Sequence, residues 1–195
     1  LIFAMFLPVV WSLYWAIGHR RAQNLLLLCA SYFFYGWWDY RFCGLMLGSS
    51  LLDYWIGRSL DRTENVKKRK ALLTASIVAN VGVLCVFKYS GFFLDNLRVL
   101  TESMGLSLGE LTFQIILPVG ISFYTFQTMS YTIDIYRRQL KPSKNLIDYL
   151  GFVSFFPQLV AGPIERASNL LPQFHEDRKF DYDFAVSGCR LLLWG

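Results

Sequence analysis

Few residues of this sequence are arranged in the patterns that catalysis requires. It contains only two histidines, His19 and His175, and histidine is the usual general base near neutral pH. His19 lies in a short basic stretch and is interpreted as a solvated residue. His175 lies in the polar stretch FHEDRKF, where no second histidine follows at the spacing that zinc proteases use. We therefore predict that the chain itself holds no catalytic residue.

The cysteines and glycines give no sign of a metal or cofactor site. No Cys-X-X-Cys or Cys/His spacing indicates a metal site or a redox pair, so the cysteines are predicted to pack as small hydrophobic residues. They lie far apart, at Cys29, Cys43, Cys85 and Cys189. The sequence has no Gly-X-Ser-X-Gly elbow, phosphate-binding glycine loop or nucleotide fingerprint. We expect no metal and no covalently bound cofactor.

The long uncharged segment at 111–135 carries polar residues that are not scattered. Three of them recur at i, i+3 and i+7 and so share one helix face: Gln127, Ser130 and Asp134. A charge at the centre of a membrane helix costs ~2.5–3.5 kcal/mol, so ionisable residues there usually face the bundle interior or water. Asp134 is interpreted either as lining such a passage or as paired with Arg137 or Arg138. Asp53 has the same two interpretations, the paired one using a basic residue of a neighbouring helix.

Prolines and a glycine interrupt another apolar stretch, FFPQLVAGPIER at 155–166. At membrane depth an irregular backbone is tolerated only where protein buries it or where it lines a water-filled cavity, because lipid cannot satisfy free backbone groups. We therefore predict that this break walls a substrate passage, through Pro157, Gln158, Gly162, Pro163, Glu165 and Arg166. For the last two residues the alternative is a surface salt bridge that caps a broken helix and adds little stability.

The whole sequence is rich in apolar residues. Of its 195 residues 54% are hydrophobic and 17% aromatic, whereas 17% are charged against about 25% in an average soluble domain. A soluble core does not need so many separate apolar segments, so the composition indicates an all-α, polytopic helical membrane protein. The net charge of +5 does not indicate a nucleic-acid partner, because the basic residues fall in loops between the apolar segments.

The apolar segments predict a single transmembrane domain. We expect five spans, at about 1–17, 24–38, 42–57, 71–87 and 111–135. Residues 91–104 place apolar side chains on one helix face and charged ones on another, which favours an amphipathic helix lying on the membrane surface or against other helices. A broken or re-entrant segment is expected at about 146–164, and the start of a further helix at 184–195.

Basic residues are concentrated in alternate loops. Arg20 and Arg21 follow the first predicted span, six Lys or Arg residues lie within 58–70, and four lie within 137–144. If the spans alternate in direction, these three loops share one side of the membrane, which then holds twelve basic residues. The positive-inside rule places that side in the cytoplasm and the N-terminus outside.

Three stretches of the sequence resemble the membrane-bound O-acyltransferase family: NLLLLCASYFFYGWWD at 24–39, LPVGISFYTFQTMSYTIDIYRR at 117–138, and FFPQLVAGPIER. The nearest branch is the bacterial enzymes that acetylate alginate and similar exopolysaccharides, of which the chain resembles about the first two fifths. The resemblance implies part of a helix ring around a water-accessible funnel, in the bacterial inner membrane. It also implies transfer of an acetyl group to hydroxyls of an extracytoplasmic polysaccharide, by a catalytic histidine in an apolar helix downstream.

The resemblance leaves the acyl donor open, with acyl-CoA and a carrier-bound acyl group both possible. The partners it implies are the lipid bilayer, the polysaccharide acceptor and other membrane or periplasmic proteins of an acetylation system. Three alternatives stay open: D-alanyl transfer to teichoic acid within the same family, a transporter or channel, and a non-catalytic remnant. The transporter interpretation lacks paired short segments in two halves of the chain. We expect residues 1–195 alone to be inactive.

Overall fold

The computed structural model describes residues 2–103, 117–159, 162 and 165–194, and the regular secondary structure within these residues is all helical. The predicted all-α class is therefore confirmed. In chain order the helices are α1 (Ile2–Ala16), α2 (Arg20–Asp39), α3 (Arg41–Arg62), α4 (Val66–Leu84), α5 (Ser90–Ser103), α6 (Ile121–Tyr136), α7 (Leu146–Val153), α8 (Phe156–Leu159), α9 (Ala167–His175) and α10 (Tyr182–Trp194).

The structure joins the fourth predicted span and the predicted amphipathic helix into one helix. Val66–Ser103 is continuous over 38 residues, with a π-helical turn at Cys85–Tyr89 between α4 and α5. Gly91 costs a helix only about 1 kcal/mol and no proline follows, so nothing ends the helix there. Within the described residues this is the helix long and apolar enough to cross a membrane, while Ile2–Ala16 and Leu146–Leu159 are apolar but shorter. That α5 lies on the membrane surface stays a prediction.

α6 begins later than the span predicted at 111–135. Residues 111–116 lie outside the described part of the chain, and 117–120 are not helical. Gly120 precedes the helix in the left-handed conformation, with φ at 74°. A Cβ atom at this position would lie 2.8 Å from the backbone oxygen of Leu159, so only glycine fits both the conformation and the contact.

α6 is the central helix of the bundle. It packs against α3, α4, α7 and α9, and residues on several of its faces are buried. The approach to α3 is close, because a Cβ atom at Gly57 would lie 2.7 Å from the ring of Tyr131. Two residues of the polar face predicted for this helix, Gln127 and Asp134, are therefore buried in the bundle.

The segments 146–159 and 165–175 form a hairpin, called the α7–α9 hairpin below. α7 ends at Val153, and α8 starts at Phe156, whose backbone N–H donates to Ser31 Oγ at 3.1 Å part-way along α2. α9 then returns, so that both arms meet at Asn24, where the side-chain nitrogen donates to Asp148 Oδ1 and to the backbone oxygen of Phe174, each at 2.8 Å. The hairpin therefore starts and finishes at one end of the bundle.

That end also holds the three basic loops, and we call it the basic end. Arg138 forms an ion pair with Glu64, which joins the loop after α6 to the loop before α4. The hydroxyl of Tyr54 donates to the backbone oxygen of Lys144 at 3.1 Å, and Asn24 at the start of α2 contacts Asp148. These contacts bring together the three loops that the alternation of spans and the distribution of basic residues assigned to one side of the membrane. The orientation in a membrane stays a prediction.

The opposite end of the bundle contains the tight turn between α2 and α3. Arg41 Nη2 lies 2.6 Å from Asp39 Oδ2, and the side-chain hydrogen bonds from Arg41 hold the pKa of the Asp39 carboxyl below its usual value. The ring of Phe42 contacts Phe87 with centroids 6.0 Å apart, so the π turn lies at this level. α5 therefore continues past the opposite end, and none of its residues is buried.

Candidate substrate-passage wall

Gln127 and Gln158, two of the predicted wall residues, meet where α6 faces the α7–α9 hairpin. The side-chain nitrogen of Gln127 donates to the backbone oxygen of Phe152 at 2.9 Å and lies 3.4 Å from Gln158 Oε1. Both glutamines are buried. Phe152 lies in the last turn of α7, where carbonyl groups lose their helical partners, so Gln127 satisfies one of them. The proline–glycine break is thus fixed to the polar face of α6 by side-chain hydrogen bonds.

The chain closes tightly over Gln158 after α8. The backbone N–H of Gly162 donates to the backbone oxygen of Gln158 at 3.0 Å, and a Cβ atom at Gly162 would lie 2.7 Å from Gln158 Cα. A larger residue at position 162 would push its backbone away from that of Gln158. Pro157 lies half-buried within α8, and Pro163 lies outside the described residues.

Glu165 and Arg166 do not form the ion pair offered as their alternative role. Glu165 Oε2 instead accepts from the side-chain nitrogen of Asn169 at 3.5 Å, one turn into α9. Arg166 is the N-cap residue of α9, with extended backbone, and its backbone oxygen accepts from Asn169 and Leu170. Both residues therefore help to start the returning arm of the hairpin, and their part in a passage stays a prediction.

The other two residues of the predicted polar face are Ser130 and Asp134. The hydrogen bonds described for them do not reach the break. Ser130 Oγ donates to the backbone oxygen of Gln127 at 2.8 Å, within its own helix. Asp134 is buried near the basic end. Neither Arg137 nor Arg138 forms an ion pair with it, and Arg138 pairs with Glu64 instead. The ion-paired interpretation of Asp134 was therefore wrong, and its position along a passage stays a prediction.

Asp53 is the centre of a polar network that the sequence did not reveal. Its two carboxylate oxygens accept from Ser76 Oγ and from the side-chain nitrogen of Asn80, each at 2.6 Å. Two threonines of α6 complete the network: Thr132 Oγ1 lies 3.0 Å from Ser76 Oγ, and Thr128 Oγ1 donates to Asn80 Oδ1 at 3.3 Å. All five side chains are buried, and within the described residues Asp53 forms no ion pair. The expected basic partner was therefore wrong.

A second polar feature of the interior is a set of tyrosine hydroxyls. Four of them are buried, on α2, α6 and α7: Tyr32, Tyr35, Tyr124 and Tyr149. Those of Tyr35 and Tyr124 lie beside each other. A buried hydroxyl left unpaired costs about 1–3 kcal/mol, so native proteins seldom retain several together. Their presence between the helices that flank the break marks this interior as polar.

His175, in the stretch whose polarity is typical of a linker, lies in a hydrogen-bonded cluster at the basic end. Its Nδ1 atom lies 3.0 Å from Asp148 Oδ2, while Asp148 Oδ1 accepts from the side chains of Asn24 and Asn145 at 2.8 and 3.1 Å. Arg178 adds a hydrogen bond to Asn24 Oδ1 at 2.7 Å. The local sequence FHEDRKF is polar, but its partners lie more than 25 residues away, so no local signal could identify them.

The His175–Asp148 pair has the geometry of an oriented imidazole, yet it lies at the basic end, away from Gln127 and the break. Its bonds tie the first and last residues of the hairpin together, which is a positioning role. Within the described part of the chain, no three His, Cys, Asp or Glu side chains are grouped so as to hold a metal ion.

These features define a class: a helical membrane protein with a polar interior and a broken helix built into it. The comparisons with known proteins show which proteins the chain is similar to. The chain is 40% identical over 192 residues to a probable alginate O-acetylase AlgI of Pseudomonas putida and 42% identical over 193 residues to the same-named protein of Pseudomonas aeruginosa. It is 33% identical over 204 residues to a peptidoglycan O-acetyltransferase of Helicobacter pylori.

These alignments cover 98%, 98% and 90% of this chain but only 39%, 36% and 37% of the three relatives. The chain thus spans less than two fifths of the length of the curated relatives it matches. No protein-family model and no solved structure matches it. The named relatives confirm the resemblance to the membrane-bound O-acyltransferase family that the sequence motifs carried.

Proposed function

We propose that the protein to which this chain belongs transfers an acetyl group to hydroxyls of an extracytoplasmic polysaccharide. The observation that carries the proposal is the identity of about 40% over nearly the whole chain to proteins named alginate O-acetylase. A peptidoglycan O-acetyltransferase among the relatives supports the same reaction on a different polysaccharide, so the acceptor is proposed only as a polysaccharide. The acetyl donor in this proposal is either acyl-CoA or a carrier-bound acyl group.

In this proposal the chain supplies a wall of the substrate passage and the catalytic histidine lies outside it. The support is the polar interior between α2, α6 and the α7–α9 hairpin, where Gln127 and Gln158 meet and four tyrosine hydroxyls are buried. Such an interior can hold a polar acceptor or acyl carrier, whereas an apolar core of the same shape would exclude both. His175 is assigned a positioning role, since it joins the ends of the hairpin at the basic end.

Activity of the full-length protein tests the wall assignment. We expect Gln127→Ala to lower acetyl incorporation into polysaccharide by at least fivefold, because the break loses the side chain that holds it to α6. The matched control is Asn96→Ala, which removes an amide that donates, among the described residues, to the backbone oxygen of Phe92 in its own exposed helix. Radiolabelled acetate in the purified polysaccharide measures the effect, normalised to the amount of folded protein. Unchanged incorporation in Gln127→Ala would remove this glutamine from the passage.

The proposed location is the bacterial inner membrane, with several membrane passes and the N-terminus outside. In a cysteine-free background, we expect cysteine at Val66 or Lys141, both exposed at the basic end, to be shielded in intact cells from an impermeant thiol reagent. Cysteine at Tyr40, which is 78% exposed in the turn at the opposite end, should react. The reverse labelling pattern would reverse the orientation.

The acetyl-transfer reaction has one rival within the same family, D-alanyl transfer to teichoic acid. Cells that express the full-length protein can be supplied with labelled acetate or labelled D-alanine in parallel. Label from acetate in a polysaccharide fraction supports the proposal, while label from D-alanine in teichoic acid would replace it. The proposal also includes other membrane or periplasmic proteins of an acetylation system as partners, and the same cells provide the material for crosslinking to them.

A further inference from the structure

A groove of about 280 Å³ lies between α1, α2, α8 and α9, on the side of α8 where Pro157 lies. Its lining is mostly apolar and aromatic and includes Leu7, Val10, Trp11, Trp15, Leu27 and Phe156. Polar groups line it at Tyr14, Gln173 and Arg178. The groove thus combines an apolar floor with a cationic group, and its two parts lie at different levels of the bundle.

Two hydrogen bonds to α2 fix the levels of the polar and apolar parts. Arg178 bonds to Asn24, at the basic end, whereas the backbone N–H of Phe156 bonds to Ser31. These α2 residues are seven positions apart, or about 10 Å along the helix axis. Leu7 and Tyr14 differ by the same seven positions on α1. The groove therefore runs about 10 Å from a polar mouth at the basic end to an apolar floor deeper in the bundle.

Arg178 is held firmly at this mouth by neutral partners. It donates to Asn24 Oδ1 at 2.7 Å and to the backbone oxygen of Gln173 at 3.1 Å, and its guanidinium lies over the rings of Tyr14 and Phe174 at 5.5 and 5.4 Å. Among the described residues no carboxylate forms an ion pair with it, and the adjacent Asp177 pairs with Arg20 at 3.4 Å. Its guanidinium therefore has no direct ion-pair partner among the described residues, although Asp148 lies on the other side of Asn24.

The chemistry of the groove matches one kind of molecule. A guanidinium is the side chain best suited to recognise a phosphate, because its planar donors fit two phosphate oxygens. Trp11, Trp15 and Phe180 cluster beside the mouth, with centroids of 6.2 and 5.1 Å to Phe180, as aromatic residues do at the level of lipid headgroups. The positive charge of the basic end favours anionic lipids over neutral ones.

We propose that this groove binds one anionic phospholipid, with an acyl chain along Leu7, Val10 and Phe156 and the phosphate on Arg178. The site does not depend on the acetyl-transfer reaction. Its bound lipid would add to the contact that α1 already makes with the hairpin, where the rings of Phe6 and Phe156 lie 5.2 Å apart. Competing occupants of the same groove are a second copy of the chain and another segment of the full-length protein.

The first test uses the unmutated full-length protein in a neutral detergent. Phosphatidylglycerol with brominated acyl chains should quench the fluorescence of Trp11 and Trp15 at least tenfold more effectively, per mole, than phosphatidylcholine with the same chains. A variant with phenylalanine at both tryptophans isolates their signal from that of the other tryptophans. Equal quenching by the two lipids, or no quenching by either, overturns the proposal.

The second test uses variants and native mass spectrometry. Arg178→Gln should lower the affinity for phosphatidylglycerol at least tenfold and that for phosphatidylcholine, whose choline cation already neutralises its phosphate, by a clearly smaller factor, while Arg98→Gln on exposed α5 should change neither. Leu170→Trp fills the groove without altering the bonds of Arg178 and should reduce binding of both lipids. Wild-type phosphatidylglycerol binding by Arg178→Gln, or a lipid-free dimer of the wild-type protein, overturns the proposal.

Discussion

Two buried aspartates of this protein are satisfied in different ways. Asp53 lies in the middle of the α3–α4–α6 packing, where its partners are a serine hydroxyl and an asparagine amide on the next helix. Asp148 lies at the basic end, where it accepts from two asparagines and lies beside a histidine that is 39% exposed. The first site is closed by neutral groups on long helices, and the second is assembled from loop-proximal residues that water can reach.

The two sites differ in whether water can replace a lost hydrogen-bond partner. Both donors to Asp53, Ser76 and Asn80, lie on the face of α4 that is buried in the bundle, so a lost partner cannot be replaced by solvent. The donors to Asp148 come from α2 and α7 and from the end of α9, and its imidazole neighbour is partly solvated. The network around Asp53 therefore holds helices together, whereas the cluster around Asp148 holds the ends of the hairpin in place.

Removing the carboxylate of Asp53 should have the largest effect on stability. Asp53→Ala leaves Ser76 and Asn80 buried without their acceptor, and we expect a loss of about 3–5 kcal/mol of unfolding free energy. Asp53→Asn keeps the shape and should cost clearly less. Unfolding of the full-length protein in mixed detergent micelles, followed by circular dichroism, measures both. The control is Asp95→Ala on exposed α5, and equal stability of Asp53→Ala and this control would show that the network contributes nothing.

The corresponding change at Asp148 should cost less and act locally. We expect Asp148→Ala to lower stability by about 1–3 kcal/mol, because solvent at the basic end can satisfy part of what Asn24 and His175 lose. A double-mutant cycle with His175→Ala should give a coupling of about 0.5–1.5 kcal/mol, since the two side chains contact directly. Additive effects of the two substitutions would show that the contact does not stabilise the hairpin.

The smallest effect is expected for the exposed ion pair that joins two basic loops. Glu64→Gln removes the partner of Arg138, but both side chains are largely exposed, so the stability should change by less than about 1 kcal/mol. High salt should reduce even this difference. A loss comparable to that of Asp148→Ala would mean that the loops, rather than the buried clusters, hold the basic end together.

The sequence predicted the elements of this fold better than their partners. Helical periodicity placed Gln127 on an inward face, and Pro157 with Gly162 marked the break, because both are local properties of the chain. The network of Asp53 went unrecognised although Ser76/Asn80 and Thr128/Thr132 each recur at i, i+4 within apolar segments. That spacing shows a shared face but not which helix it meets.

The stretch FHEDRKF is a second case in which the local sequence did not identify the tertiary partners. Its polarity indicated a linker, but the contacts of His175 and Arg178 with Asp148 and Asn24 depend on the return of α9 along α7. Such a return is a property of tertiary packing, since the contacting residues are separated by up to 154 positions. The partner of His175 therefore could not have been predicted from the local sequence.

The π turn at Cys85–Tyr89 determines the direction in which the side chains of α5 point. A π turn closes its hydrogen bond one residue later than an α turn, and one residue corresponds to about 100° of rotation about the axis. The apolar side of α5 is therefore offset by about that angle from the line that Ser76, Asn80 and Leu84 follow into the bundle. Deleting a single residue within the turn would re-aim all of α5 and leave its composition unchanged.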